Sequence, residues 1–137
     1  MEVDPGPYDL DDTRVILGPR GDATAKAVTP NFYAELDAEF GGFKGHVLIS
    51  RHEFSEAWGM WEVHPLGDEI VYLISGDVDF VLWTLEGEKT VRVDRPGSCI
   101  VVPKGVWHTA RPNAPTAMLF ITPGEGTQNA EAPTAFA

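Results

Sequence analysis

The sequence predicts an all-β protein, a small barrel or jelly-roll sandwich with one short N-terminal helix. Three observations predict it. After Gly45, apolar residues alternate with polar ones or run on for four or five positions, which is strand patterning. Turn signals cut these runs at short intervals into eight segments of strand length. The chain also carries 14 glycines and 11 prolines in 137 residues, an excess that supplies many turns.

Each element has a local reason. Residues 1–28 read as an N-terminal arm, solvated and acidic from Met1 to Asp12, with one short strand at Arg14-Val15-Ile16-Leu17 closed by Gly18-Pro19. A barrel with a leading helix spans 29–123. Thr29 caps the helix, Pro30 fits its first turn, and Phe32, Leu36 and Phe40 share one face before Gly41-Gly42 stops it. The strands are His46 to His52, Trp58 to His64, Ile70 to Ser75, Val78 to Thr84, Lys89 to Asp94, Cys99 to Val102, Val106 to Arg111 and Thr116 to Thr122. Residues 124–137 show no period and read as a surface tail.

Charge and composition narrow the function. The net charge of -11 repels phosphate backbones and anionic lipid heads, which argues against nucleic-acid and membrane partners. The longest apolar run, Ile70 to Ile74, is far short of the roughly 20 residues of a membrane span. The acidic start is unlike a signal peptide, and the expected location is cytoplasmic. Cys99 is the only cysteine, so no disulfide forms within the chain; it reads as a small buried residue.

The informative stretch is Trp61-Glu62-Val63-His64-Pro65-Leu66-Gly67-Asp68-Glu69. Glu62 and His64 stand two apart on a strand and so share a face. Glu69 follows just before the next strand, and His108 comes after the turn Pro103-Lys104-Gly105. Imidazole and carboxylate groups suit first-row divalent metals. Two of each balance the charge of such an ion and leave one or two positions open, the mark of a catalytic rather than a structural site.

On these residues the chain resembles the cupins. Their first signature sets two ligand positions one residue apart, then Glu, then Gly; Glu62, His64, Glu69 and Gly76 fall on that spacing. Their second is matched by Gly97, Pro103, Gly105 and His108, with Pro112 where the family has Asn. The resemblance covers roughly Lys44 to Pro123. It implies a double-stranded β-helix, a jelly-roll barrel, holding one divalent metal (iron, manganese, nickel or zinc) on Glu62, His64, Glu69 and His108. The family usually has His where this chain has Glu62. Asp68 stands beside Glu69 as the competing ligand. The resemblance also implies a homodimer, with Trp61, Tyr72 and Trp107 as candidates for the paired face.

Alternation then assigns the pocket. Trp58 and Met60 join Glu62 and His64, Val71 and Leu73 join Glu69, and Val106 and Ala110 join His108. Such a pocket suits a small organic ligand with one or two metal-binding oxygens. His46 and His52 have no carboxylate at ligand spacing and read as ordinary hydrogen-bonded histidines. The functional expectation is a metal-dependent dioxygenase or isomerase acting on a small molecule. The alternative is a ligand-binding barrel, a sensor or sugar-binding module without turnover.

Overall fold

A computed structural model describes residues 4–133. The elements follow in order: β1 Thr13–Leu17, β2 Ala23–Ala27, α1 Phe32–Glu39, a 3-10 turn Gly41–Phe43, β3 Val47–Phe54, β4 Trp61–Val63, β5 Glu69–Ser75, β6 Val78–Thr84, β7 Gly87–Val93, β8 Cys99–Val102, β9 His108–Pro112, β10 Thr116–Thr122 and β11 Gln128–Ala130. The strands form two antiparallel sheets. One has the order β2-β1-β3-β10-β5-β8, the other β11-β4-β9-β6-β7, and neither closes on itself. This is the jelly-roll layout that the strand pattern predicts.

The main core lies between the sheets. Val71, Leu73, Val78, Phe80, Ala110 and Met118 are all fully buried there. A second cluster of Ile16, Phe32, Leu36, Phe43 and Leu48 seats α1 against the longer sheet. Lys26 of β2 bonds Glu35 at 3.1 Å and Glu39 at 3.3 Å, fastening the helix from its polar side. Gly76 shows why one signature position is glycine. Its φ is +110°, and a Cβ there would stand 2.5 Å from the Pro115 carbonyl oxygen.

Several expectations are corrected. The helix starts at Phe32, with Asn31 rather than Thr29 at its N-cap. The Thr29 hydroxyl instead donates to the Glu35 carboxylate. The strand expected from Trp58 is only three residues long, and Trp58 lies before it. The N-terminal arm contributes two strands, because Ala23–Ala27 pairs along the whole of β1 despite its weak strand composition. The surface tail contains β11, which pairs with β4 and puts Asn129 opposite Glu62. Asp11 of the acidic arm contacts Arg51 at 2.8 Å.

Trp61 and Trp107 are buried with Val63 and Val81, and the partly buried Trp83 packs against them, so the chain covers that outer face itself. Of the three residues expected at a paired face, only Tyr72 is exposed. Cys99 is exposed rather than buried, because it lies on the outward-facing side of edge strand β8.

Candidate metal centre

Four side chains meet at one end of the sandwich. Glu62 of β4 stands directly opposite His108 of β9 in the sheet. His64 follows β4, and Glu69 opens β5 on the facing sheet. Each offers one donor atom, and the four atoms lie within 4.8 Å of one another. His64 Nε2 is 2.9 Å from Glu62 and 3.2 Å from Glu69, and His108 Nε2 is 3.2 Å from Glu69 Oε1. His64, Glu69 and His108 are buried, and Glu62 is partly exposed.

Surrounding groups hold three of the four side chains in place. The Thr122 hydroxyl donates to Glu69 Oε2 at 2.6 Å. The Thr127 hydroxyl pairs with His64 Nδ1 at 2.8 Å. The His108 Nδ1–H donates to the Val106 carbonyl at 3.1 Å. A carbonyl only accepts, so this bond turns the Nε2 lone pair of His108 toward the carboxylate. The signature turn is tied to the same place. Gly105 N–H donates to the His64 carbonyl at 2.9 Å, and Lys104 N–H donates to Asp68 Oδ1 at 2.8 Å. Asp68 thus anchors a turn, and Glu69 enters the cluster.

The donor set fits a metal ion. His64 Nε2, Glu69 Oε1 and His108 Nε2 are buried without an aligned hydrogen bond, although they stand at ion-pair distance. Lone pairs converging in this way need a cation among them. Ligands held about 2.1 Å from one ion lie within about 4.2 Å of each other, so a contraction of a few tenths of an ångström suffices.

In the metal-free protein a proton can serve. Burial pulls the His64 pKa down, but Glu62 and Glu69 outweigh it and raise it to about 9. Burial pushes Glu69 up, but His108 and His64 outweigh it and hold it at about 2. The raised His64 contributes stability that is full below pH 6.5 and lost as pH rises through about 9. The lowered Glu69 contributes stability present above pH 4.5 and lost as pH falls toward about 2. Metal-free protein is therefore expected to melt highest between about pH 4.5 and 6.5. Melting scans after chelation check this, and a melting temperature still rising from about pH 6.5 to 9 would reject it.

Glu62, His64 and Glu69 of the cluster line one part of a cavity of about 760 Å³, and His108 lies outside the lining. Leu36, Phe43, Leu48, Phe54, Trp58 and Phe120 line it, with His52, Ser50, Thr122, Thr127 and Asn129 among its polar groups. The expected pocket lining needs correction. Trp58 lines the cavity, at 5.9 Å from Phe120 and 6.3 Å from His108 between ring centroids. Val71, Leu73 and Ala110 belong instead to the fully buried core, with Val106 packed against it. Met60 is 42% exposed and outside the lining, because its strand begins only at Trp61.

Sequence reasoning also missed wall residues. His52 lies on the cavity side of β3, in alternation with Leu48 and Ser50, a signal that could have placed it. Burial first, and then Arg14, lowers its pKa, against an opposing pull from Glu62 and Glu69. Thr127 and Asn129 carried no comparable signal, since only the pairing of β11 with β4 brings them in.

Neither protein-family models nor curated protein sequences match the chain. Solved structures do. A variant of Bacillus subtilis oxalate decarboxylase is 18% identical, with a TM-score of 0.50 over 61% of this chain and 23% of its own. A cupin-2 domain protein from Shewanella frigidimarina is also 18% identical, with a TM-score of 0.49 over 56% of this chain and 70% of its own. An oxalate oxidase is 21% identical, with a TM-score of 0.49 over 59% of this chain and 44% of its own. The chain thus spans less than a quarter of the decarboxylase and less than half of the oxidase. Likeness at this level speaks for the fold, and with the two antiparallel sheets it shows that the chain has the cupin fold.

Proposed function

We propose that the chain binds one divalent transition metal through Glu62, His64, Glu69 and His108 and acts on a small organic molecule in the cavity above it. The observation that carries this reading is the convergence on one point of three buried donor atoms without an aligned hydrogen bond and a fourth donor, the Glu62 carboxylate. Iron, manganese, nickel and zinc all accept such nitrogen and oxygen donors. When bound, the metal would polarise an oxygen of the substrate, and iron would add dioxygen chemistry. The protein's own residues supply the rest. Thr122, Thr127 and the Val106 carbonyl orient the ligands, and Phe43, Phe54, Trp58 and Phe120 give the cavity an apolar wall for the substrate's body. His52, held toward its neutral form, is placed to take a proton from a substrate in the cavity. We read the reaction as dioxygenase- or isomerase-like.

Elemental analysis of tag-free protein, before and after chelation, tests the reading. About one equivalent of metal, removed by chelator and restored on titration, is the expected result. No uptake of iron, manganese, nickel or zinc would overturn it. Thr127→Val provides a finer check, because it removes the partner of His64 Nδ1 while keeping the side chain's shape. It should weaken metal binding about 10- to 100-fold in equilibrium dialysis. Unchanged affinity would deny Thr127 its orienting role.

The apolar surface that Leu36, Phe43, Leu48, Phe54, Trp58 and Phe120 give the wall supports a second reading, a binding module. Incubation of metal-loaded protein with a bound ligand separates the two, since a ligand recovered unchanged supports binding alone.

A further inference from the structure

Arg14 is a buried cation without a partner among the described residues. It is only 8% exposed, and its Nη1 is fully buried with no hydrogen bond. Among the described residues no carboxylate stands within ion-pair distance of it, whereas Arg51 and Arg92 each hold two and Arg111 holds one. A buried unpaired guanidinium is costly, and it is the kind of group a protein retains when something else completes it.

Its position says where that partner sits. Alternation along β1 puts Arg14 on the same face as Ile16, which is buried in the cluster beneath α1. Ile16 pairs with Leu48, so Arg14 comes level with Ser50 one step further along β3. Ser50 in turn stands opposite Phe120 on β10. Leu48, Ser50 and Phe120 all line the cavity. The charge of Arg14 is felt at two more wall residues, Tyr33 and His52. Arg14 therefore lies on the cavity-facing side of the longer sheet, beside the lining residues Ser50 and Phe120 and several strands across from Glu69.

We propose that Arg14 binds the carboxylate of an organic acid whose apolar body fills the aromatic part of the cavity. A guanidinium matches a carboxylate through two parallel hydrogen bonds, and burial strengthens them. Phe43, Phe54, Trp58 and Phe120 supply the surface for the apolar body. The site stands on Arg14 and this wall. Only the direction of the ligand's far end, toward the four-residue cluster, rests on the proposed metal site.

Benzoate and its uncharged counterpart benzamide are suitable probes, titrated into wild-type protein by ligand-detected NMR, with and without manganese. Benzoate should bind about tenfold or more tightly than benzamide. Arg14→Gln should erase that preference, and Arg14→Lys should retain part of it and guards against loss of fold. Equal binding of the two probes, no saturable benzoate binding, or an unchanged preference in Arg14→Gln overturns the proposal. Displacement of benzoate by an equal concentration of inorganic phosphate also overturns it, since the site would then select a bare oxyanion. Metal uptake measured on the same samples keeps the two readings apart. Uptake without benzoate preference removes the Arg14 site alone, and benzoate preference without uptake of manganese, iron, nickel or zinc removes the metal site alone.

Discussion

His108→Ala should weaken metal uptake by more than about 100-fold, beyond the range expected for loss of an orienting partner. His108 is fully buried, and its Nε2 is one of three buried donors without an aligned hydrogen bond at the centre. Its removal would delete one of the four proposed ligands and leave Glu69 Oε1 facing a void. His64→Ala should act alike, with an added effect from stranding the hydroxyl of Thr127. Equilibrium dialysis with manganese and zinc gives the affinities, and melting of the chelated proteins shows whether each variant folds. Wild-type affinity in both variants would sink the metal centre. The two-sided setting of His108 explains why the loss should be large: the Val106 carbonyl fixes the tautomer, and the Phe80 ring stacks on the imidazole at 5.8 Å and 19°.

Phe80→Ala should cost about 3–5 kcal/mol of stability, the range for truncating a large buried aromatic. Phe80 is fully buried in the main core between the sheets and meets Trp58 edge to face at 5.5 Å. In a domain of this size the loss corresponds to a fall of roughly 10–20 °C in melting temperature. Urea unfolding followed by tryptophan fluorescence gives the value directly. A cost below about 1 kcal/mol would mean that the core refills the space and that Phe80 is not packed as tightly as its burial implies. The variant should also bind metal more weakly, because the stacked ring that steadies His108 is gone.

Much of the fold is legible in the sequence. The alternation from His46 onward locates nearly every barrel strand to within a few residues, because period two records which face is buried. Gly76 is legible for a different reason, since a positive φ against the Pro115 carbonyl admits no side chain. Met60 shows where the same rule fails. Alternation carried backwards through Gly59 runs into a segment that is not a strand, so the side chain lies in solvent. Val71, Leu73 and Ala110 show a second failure. They do face inward, but the inside of this sandwich is mostly packed core, and period two cannot separate core from cavity wall.

By itself the sequence determined the all-β class, the turns, and the short segments that carry Glu62, His64, Glu69 and His108. These depend on neighbours a few residues apart, which is the range over which turn chemistry and strand period act. Only the tertiary structure decided that α1 seats beside the cavity, that β11 returns to pair with β4, and that Thr127 meets His64. It also decided that Trp61 and Trp107 are covered within the chain and that Arg14 is buried without a partner among the described residues. Each of these is a contact between segments far apart in the chain. Such contacts follow from how the two sheets and the chain ends close over one another, and no local pattern encodes them.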